Sequence, residues 1–423
     1  MELATANQFF IGSKGYSMSA KQSVLSEILI INNIERGYKL AVISECSKNL
    51  LVTVLEFYCN QSDGLVIDKA RFDSPMQDKL SNLGYYIIDL DEKKVSIPRV
   101  PSKATRDSIA IFTSGTTGQP KLIQHSWKTL VTCKKQVSGQ SYCWLVTYTA
   151  GTYAWYQMIT MAMFCPGQGI VLSHSQNPEE IWSSGLKAGM TAVSSTPTFW
   201  RYLFVKLGDN ELIKAKLKQI TLGGETVTQN ILDKLATLFP KAKISHIYAS
   251  TEAGVGIVVH DKQEGFPLEW LGDNKNKKRS QVKIEGQVLW IKSPYASKQF
   301  NGWYCTGDRV SLRNCRVIID GRDALDLINI GGNKASAKKI QDVIASHKSV
   351  AWCRVTAKKA PFVGQIVSAD LVLNSGVEEK IVCNFEKIIT EYCKDNELVE
   401  WMIPRLWKFL EQVPIDNNLK SEL

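Results

Sequence analysis

Three short apolar segments near the N-terminus are separated by stretches long enough for a helix, and this alternation constrains the fold more than any other feature. The segments are Leu40-Ala41-Val42-Ile43, Leu65-Val66-Ile67 and Tyr85-Tyr86-Ile87-Ile88. Short apolar runs are typical of buried strands, and strands that alternate with amphipathic helices form parallel sheets with crossover connections. The sequence therefore predicts an α/β fold at the start of the chain.

The same alternation continues after a charged, proline-containing linker at residues 98–107. It predicts strands at 108–112, 169–172 and 191–194, a helix at 178–188, and strands that end at Leu222 and Tyr248. Short β-rich runs follow Gly256, and a helix at 338–347 with strands near Trp352 and Val367 follows Gly321. We therefore expect residues 1–320 to form a large α/β domain with a small β-rich part, and residues 321–423 to form a small, mobile α+β domain.

The predicted strand at 108–112 leads directly into a segment of small and hydroxyl-bearing residues, Thr113-Ser114-Gly115-Thr116-Thr117-Gly118-Gln119-Pro120-Lys121. Glycines let main-chain N–H groups approach an anion, hydroxyls add donors, and a lysine supplies a charge for a phosphate. The segment is not a Walker A loop, because Pro120 stands where the second glycine would be and Leu122 follows Lys121. It is either a phosphate-binding loop or an ordinary turn between a strand and a helix.

Positive charge is concentrated before residue 322. The net charge is +10, and residues 322–423 contain 14 Lys and Arg against 14 Asp and Glu, so that 37 against 27 precede them. The basic run Lys275-Asn276-Lys277-Lys278-Arg279 has no interleaved aromatic residue and matches no nucleic-acid-binding motif. We expect no nucleic-acid partner, and we interpret the run either as a solvated loop or as a docking face for an acidic partner.

The ten cysteines include no Cys-x-x-Cys pair and no cluster at metal-binding spacing. This pattern predicts reduced thiols and a cytoplasmic location. Residues 1–10 lack the basic and apolar regions of a signal peptide, and the longest apolar stretch, at 155–165, is too short to span a bilayer. We therefore expect neither a targeting signal nor a membrane span.

Further motifs follow the loop along the chain. They are Gly223-Gly224-Glu225, Tyr248-Ala249-Ser250-Thr251-Glu252, Gly302-Trp303-Tyr304-Cys305-Thr306-Gly307-Asp308, Gly321-Arg322 with Asp326, Gly331-Gly332, and Lys420 six residues after Pro414. Together with the loop, this set resembles the adenylate-forming superfamily, which includes acyl-CoA synthetases, adenylation domains of peptide synthetases and luciferases. The resemblance covers residues 108–420. It implies an enzyme that uses ATP to activate a carboxylic acid as an acyl-adenylate, releases pyrophosphate and transfers the acyl group to a pantetheine thiol.

The resemblance also implies a role for each motif. The loop from Thr113 to Lys121 would hold the β- and γ-phosphates, and Lys420 would meet the charge that develops during adenylation. Thr251 would contact the α-phosphate and Glu252 would hold Mg²⁺. Asp308 would accept hydrogen bonds from the ribose hydroxyls, with Arg322 donating nearby. Gly331 and Gly332 would approach the pantetheine arm when the C-terminal domain pivots. The other motif residues are assigned to the nucleotide site: Gly223, Gly224, Glu225, Tyr248, Ala249 and Ser250.

The chain departs from the family pattern at several positions. Tyr148-Thr149-Ala150-Gly151 occupies the place where many acyl- and aryl-CoA ligases have an aromatic residue followed by His, and no Asp stands there to pair with a substrate ammonium. An aryl, fatty or polyketide-type acid is therefore expected rather than an α-amino acid. Relative to the commonest family pattern, one extra residue separates Arg322 from Asp326, and no glycine directly precedes Lys420.

Two questions stay open at this stage. The thiol acceptor is either CoA or the phosphopantetheine of an acidic acyl carrier protein, and the trimmed chain, with about 110 residues before the loop, favours a role in specialised metabolism. The alternative function is a catalytically weakened, ligase-like helper protein that binds a carrier protein or nucleotide. Against it, Glu252, Asp308, Arg322 and Lys420 all keep chemically competent side chains.

Overall fold

The structure is a computed structural model that describes residues 7–11, 14–17, 24–35, 37–60, 64–105, 107–114, 120–132, 140–272, 280–322, 327–330, 333–360, 364–374, 377, 379–396, 398–416 and 420. In chain order its strands are β1 (Gln8–Ile11), β2 (Lys14–Ser17), β3 (Leu40–Ser44), β4 (Gly64–Asp68), β5 (Tyr86–Asp89), β6 (Lys94–Ser96), β7 (Ile109–Ser114), β8 (Pro120–His125), β9 (Tyr142–Val146), β10 (Gln168–Leu172), β11 (Ala192–Ser195), β12 (Gln219–Gly223), β13 (Lys243–Ser250), β14 (Gly254–Val259), β15 (Phe266–Pro267), β16 (Gln281–Glu285), β17 (Val288–Lys292), β18 (Tyr304–Arg313), β19 (Arg316–Arg322), β20 (Leu327–Ile330), β21 (Asn333–Ser336), β22 (Val350–Ala360), β23 (Gly364–Leu373) and β24 (Leu406–Phe409). Its helices are α1 (Val24–Ile31), α2 (Ser47–Cys59), α3 (Ser74–Asn82), α4 (Trp127–Leu130), α5 (Tyr153–Phe164), α6 (Pro178–Lys187), α7 (Pro197–Lys206), α8 (Gly208–Leu212), α9 (Gln229–Leu238), α10 (Ala337–Ala345) and α11 (Glu379–Asp395).

The apolar segments that open the sequence form the middle of a first sheet with the strand order β6-β5-β3-β4-β7-β8. Strands β5, β3, β4 and β7 run parallel, while β6 and β8 are antiparallel edges. All residues of β3 and β4 are buried, because helices or a second sheet cover both faces. Leu40 and Val42 face one apolar cluster, and Ala41 and Ile43 face another.

A second, larger sheet has the order β14-β13-β12-β11-β9-β10-β1-β2 and is parallel except at its two edge strands. Helix α5 packs between this central sheet and the first one, where Trp155, Tyr156 and Ile159 are fully or almost fully buried. Helices α6, α7 and α9 cover the opposite face around the buried rings of Trp182 and Trp200. This layering brings the carboxyl ends of β12 and β13 close to the β7–β8 hairpin.

The β-rich part after Gly256 is an antiparallel sheet with the order β15-β19-β18-β17-β16 and its own apolar core around Leu289, Ile291 and Val317. The last segment has a separate core around Ile340, Phe385 and Ile389, built on the three-stranded sheet β22-β23-β24 and helices α10 and α11. The predicted α/β class with these two additions is confirmed.

The C-terminal segment packs on the outer helices of the central sheet. Trp352, Val372 and Val413 join the apolar cluster that contains α7, and the Asn230 side chain donates a 2.9 Å hydrogen bond to the carbonyl of Ala345. These contacts place the end of the chain beside the carboxyl edge of the central sheet. Within the described residues, no helix combines the length and the apolar character that crossing a membrane requires.

The cysteines differ from the expectation at one position. Cys165 is disulfide-bonded, so the prediction of uniformly reduced thiols is wrong there. The other seven cysteines whose side chains are described are free thiols. Burial raises the pKa of the Cys143 thiol to about 11 and also raises that of Cys353, which keeps both thiols protonated at neutral pH.

Candidate active site

A cleft of 1320 Å³ opens where the first sheet, the central sheet, the antiparallel sheet and the end of the chain meet. Most of the predicted motif residues that the structure describes line it. They come from the β7–β8 hairpin, the carboxyl ends of β12 and β13, the start of β18, and the last described residue, namely Thr113, Lys121, Gly223, Gly224, Ala249, Ser250, Thr251, Glu252, Gly307 and Lys420. Motifs that are more than 300 residues apart in sequence therefore share one cavity.

The small-residue loop joins two antiparallel strands. Thr113 pairs with Lys121 and Ser114 with Pro120 across the hairpin, so the alternative of an ordinary strand-to-helix turn is wrong. The Thr113 hydroxyl is buried and has no hydrogen-bond partner within the described residues. A buried hydroxyl without a partner is costly, and a phosphate oxygen would satisfy it. Gly115, Thr116, Thr117 and Gly118 lie outside the described residues.

The motif from Tyr248 to Glu252 forms the last three residues of β13 and the start of the turn that follows this strand. A register shift between Tyr248 and Ala249 marks a bulge at the end of this strand, which redirects the chain toward the cleft. Within the turn, the Ser250 hydroxyl accepts a 3.0 Å hydrogen bond from the N–H of Ala253. The Glu252 carbonyl accepts a 2.9 Å hydrogen bond from the N–H of Ser297. We call residues 248–252 the β13 turn.

Sequence reasoning missed one residue at this turn, His125. Its Nε2 atom lies 2.7 Å from the carbonyl oxygen of Thr251, and its Nδ1 atom lies 3.1 Å from the Thr129 hydroxyl. The side chain is fully buried, and burial lowers the pKa of His125 to about 4. The imidazole is therefore neutral at physiological pH and donates its Nε2–H to the Thr251 carbonyl. Only its position, four residues after Lys121, links it to the loop in the sequence.

Glu252 is the carboxylate best placed to hold a cation. Its side chain is half-buried at the cleft wall and forms no hydrogen bond or ion pair within the described part of the chain. Mg²⁺ is commonly bound by one or two carboxylates together with substrate phosphates and water. A single carboxylate beside a phosphate site fits this mode of binding. Among the described residues there is no group of three or more His, Cys, Asp or Glu side chains that could hold a metal without a substrate.

In the segment Gly223-Gly224-Glu225, Gly224 lies beside Lys420, whereas the Glu225 side chain binds helix α7. Gly224 has a φ of 85°, and a Cβ atom added to it would lie 3.4 Å from Cε of Lys420. The Glu225 carboxylate accepts hydrogen bonds from the N–H and the hydroxyl of Thr198, at 2.9 and 3.0 Å. Thr198 lies in the first turn of α7, so Glu225 satisfies an otherwise unpaired N–H of that helix.

Asp308 lies on β18, where its carboxylate accepts a short hydrogen bond from the Tyr248 hydroxyl. The N–H of Asp308 donates to the Thr306 hydroxyl at 3.1 Å, and across the antiparallel pair Asp308 stands directly opposite Arg322. The fold thus brings Asp308 together with Arg322 and the β13 turn. The Arg322 side chain, Asp326, Gly331 and Gly332 are outside what the structure describes.

Lys420 lines the cleft and is hydrogen-bonded to Asp416. The Asp416 carboxylate accepts a 2.8 Å hydrogen bond from the N–H of Lys420, and the N–H of Asp416 donates to the Lys420 carbonyl at 2.8 Å. If Gly224 carried a Cβ, Nζ of Lys420 would lie 3.8 Å from it. We use the name C-terminal turn for Asp416 and Lys420 with the two hydrogen bonds between them.

Tyr148 forms part of the cleft wall beyond Gly223. Its hydroxyl is 3.4 Å from the Ser194 hydroxyl, and burial raises the pKa of Tyr148 to about 12. The phenol is therefore a neutral group. Nearby cleft positions are apolar or uncharged, including Trp144, Tyr153, Gln157 and Met158.

Comparison with known proteins identifies relatives of this arrangement. The family model described as "AMP-binding enzyme" matches residues 41–286. The D-alanine--D-alanyl carrier protein ligase of Staphylococcus aureus strain MRSA252 is 24% identical over 347 residues, which cover 74% of this chain and 69% of that protein.

Solved structures agree with the fold. The o-succinylbenzoate coenzyme A synthetase MenE of Bacillus subtilis, in complex with ATP and magnesium ion, superposes with a TM-score of 0.69 at 17% identity, covering 99% of this chain and 96% of that one. Klebsiella oxytoca NpsA in complex with 3-hydroxyanthranilyl-AMSN superposes with a TM-score of 0.71 at 16% identity, covering 99% and 95%.

Proposed function

Since the chain belongs to the AMP-binding enzymes, a family of adenylate-forming ligases, we propose that it activates a carboxylic acid with ATP and passes the acyl group to a pantetheine thiol. The observation that carries this proposal is the convergence of Thr113, Thr251, Glu252 and Lys420 in one cleft. A phosphate-binding hairpin, a carboxylate for a cation and a mobile ammonium are the parts that adenylation needs.

In the first step, an oxygen of the substrate carboxylate attacks the α-phosphorus of ATP. An O–P bond forms, the bond to the β-phosphate breaks, and pyrophosphate leaves. Thr113 and Lys121 bind the departing phosphates, together with Ser114 and residues 115–118, and the Thr251 hydroxyl contacts the α-phosphate. Glu252 would hold Mg²⁺, which would supply positive charge to neutralise the phosphates, while Lys420 stabilises the negative charge on the reacting oxygens.

The nucleoside is held on the opposite side. Asp308 accepts hydrogen bonds from the ribose hydroxyls, since a carboxylate offers only acceptors. The Tyr248 hydroxyl orients the Asp308 carboxylate. Arg322 donates from the neighbouring strand. The glycines at 223 and 224 leave room beside the adenine ring. Glu225 acts through α7 by satisfying its first turn.

In the second step, a thiol attacks the acyl carbonyl, the bond to AMP breaks, and the thiol loses its proton. We propose that residues 321–423 form a mobile domain that turns about a hinge at 321–326, removes Lys420 from the cleft and brings Gly331 and Gly332 to the pantetheine arm. The acceptor is CoA or an acidic carrier protein. The excess of positive charge before residue 322 suits both, because both are anionic.

The acid is proposed to be an aryl, fatty or polyketide-type acid. Tyr148 and its neighbours Trp144, Tyr153 and Met158 offer apolar and neutral surface. The Glu225 carboxylate, whose charge acts on the Tyr148 phenol, already accepts two hydrogen bonds from Thr198 and is not among the residues that line the cleft. A substrate ammonium would stay unpaired there, which is costly. The S. aureus relatives named for D-alanine make that amino acid the necessary comparison.

The test is acid-dependent exchange of radiolabelled pyrophosphate into ATP, measured with Mg²⁺ over a panel of aryl, fatty and branched acids and D-alanine. Exchange with a neutral acid and none with D-alanine is the expected result. Exchange with D-alanine alone would overturn the proposed acid class. Nucleotide binding without exchange for any acid would favour the helper protein, and Lys420→Ala serves as the inactive control.

A further inference from the structure

His125 joins two parts of the proposed site that come from different sheets. It is the last residue of β8, the strand that leaves the phosphate-binding hairpin, and its Nε2 atom contacts the Thr251 carbonyl of the central sheet at 2.7 Å. The ring packs against Tyr153 with centroids 5.4 Å apart. One buried side chain thus connects the β- and γ-phosphate region with the α-phosphate region.

A short segment beside β8 reinforces this connection. The N–H of Ser297 donates to the Glu252 carbonyl at 2.9 Å, and the N–H of Lys298 donates to the Gln124 carbonyl at 3.0 Å. The carbonyls of Gln124 and Glu252, which adjoin His125 and Thr251, are therefore held by consecutive residues of one loop, Ser297 and Lys298. The remaining carbonyl, that of Thr251, depends on His125.

The protonation state of the ring suits this task. A carbonyl oxygen only accepts, so Nε2 carries the proton, and Nδ1 of the neutral ring is an acceptor 3.1 Å from the Thr129 hydroxyl, whose one proton is shared between Nδ1 and the Ser126 carbonyl at 3.0 Å. Thr129 is itself held, because its hydroxyl accepts from the N–H of Ser126 at 3.0 Å. The ring orientation is therefore set from both nitrogens.

We propose that His125 is a positioning residue for adenylation: its Nε2–H fixes the main chain at Thr251, and so directs the Thr251 hydroxyl and the Glu252 carboxylate at the α-phosphate and its metal. This inference rests on the proposed function. A hydrogen bond to a main-chain carbonyl is well suited to the role, because it constrains the turn without entering the cleft.

Two substitutions separate positioning from packing. His125→Leu removes the donor and leaves the Thr251 carbonyl unsatisfied, whereas His125→Gln keeps an N–H donor at a similar reach. The matched control is His246 on β13. Like His125 it is buried, and its Nε2 atom lies 2.9 Å from a main-chain carbonyl oxygen, that of Gln263. His246 is not among the residues that line the cleft.

The first readout is binding of AMP, by calorimetry, to the full chain. We expect His125→Leu to weaken AMP binding about 10- to 100-fold, since an unsatisfied buried carbonyl displaces the turn. His125→Gln should restore affinity to within a few-fold, and His246→Leu should lower the melting temperature without changing AMP affinity. Unchanged affinity in His125→Leu, or an equal loss in His246→Leu, would overturn the inference.

The second readout is the long-range ¹H–¹⁵N spectrum of the five histidines, in which His125→Gln assigns the signal. A neutral ring with the proton on Nε2 at pH 7 is expected, and a cationic ring or a proton on Nδ1 would contradict it. If the wild type binds AMP but shows no acid-dependent exchange, the proposed function fails, while these two measurements still decide the role of His125.

Discussion

The β13 turn and the C-terminal turn reach the same cleft, but they are held there in different ways. The β13 turn is bound from outside, by His125 at Thr251 and by Ser297 at Glu252. The C-terminal turn is closed by hydrogen bonds between its own ends, Asp416 and Lys420. This difference agrees with the proposed roles, in which the β13 turn stays at the α-phosphate and Lys420 leaves the cleft after adenylation.

The largest effect on the rate of adenylation is expected from Lys420 in the C-terminal turn. Lys420→Ala should reduce ATP–pyrophosphate exchange about 10²- to 10³-fold, because a single preorganised donor to developing charge contributes about 3–4 kcal/mol. Transfer from preformed acyl-AMP to the thiol should change little, since the proposed movement of residues 321–423 takes Lys420 out of the cleft before that step. Exposed Lys408 on β24 provides the control, as Lys408→Ala should affect neither half-reaction. Equal losses in both half-reactions would contradict a movable turn.

His125, which holds the β13 turn, should make the unfolding free energy depend on pH. The unfolded chain has a His pKa near 6.5, whereas burial lowers the pKa of His125 to about 4. Between these values the unfolded chain binds a proton that the folded chain does not, so stability falls as pH falls from about 6.5 to 4. The loss attributable to His125 approaches about 3 kcal/mol at pH 4.

Urea unfolding at pH 7.0, 5.5 and 4.5 checks this dependence. His125→Gln should show a flatter decline in unfolding free energy than the wild type, because glutamine does not titrate. Burial also lowers the pKa of His246 and His347, but both remain in each protein and cancel in the comparison. Parallel declines would mean that His125 titrates normally in the folded state.

A third test concerns the ribose contact, which links the β13 turn to β18. Asp308→Asn replaces an acceptor-only carboxylate with an amide and weakens the hydrogen bond from Tyr248. We expect the KM for ATP to rise about 10- to 100-fold, since hydrogen bonds to charged groups contribute about 1.5–3 kcal/mol. With 2′,3′-dideoxy-ATP the wild type and the variant should differ much less. The same loss with both nucleotides would place Asp308 away from the ribose.

The fold was predictable from the sequence because its signals are local. The apolar runs at 40–43, 65–67 and 169–172 became β3, β4 and β10 with shifts of at most one residue at each end, and the helix at 178–188 became α6. Each of these elements is specified by its own run of side chains. Pairing partners and sheet order depend on residues far apart in the chain, and periodicity does not encode them.

The site was predictable only where a motif recurs as a sequence pattern. Thr251, Asp308 and Lys420 were identified in this way; Thr251 and Lys420 line one cleft, and Asp308 is hydrogen-bonded to Tyr248. Two features were not predictable. His125 acts through a main-chain carbonyl 126 residues away, and Glu225 turns its carboxylate to Thr198. Both depend on contacts between distant segments that carry no pattern of their own.

The smallest effect is expected from loosening the C-terminal turn. Asp416→Asn should slow exchange about fivefold, because replacing a charged acceptor by a neutral one weakens the hydrogen bond to the N–H of Lys420 by about 1 kcal/mol. Transfer to the thiol should not slow, since the turn is outside the cleft in that step. Asp395→Asn, at the end of α11, is the control for charge alone. If Asp416→Asn impaired both half-reactions, the turn would be part of a fixed wall, and the contrast between an anchored and a movable side of the cleft would be lost.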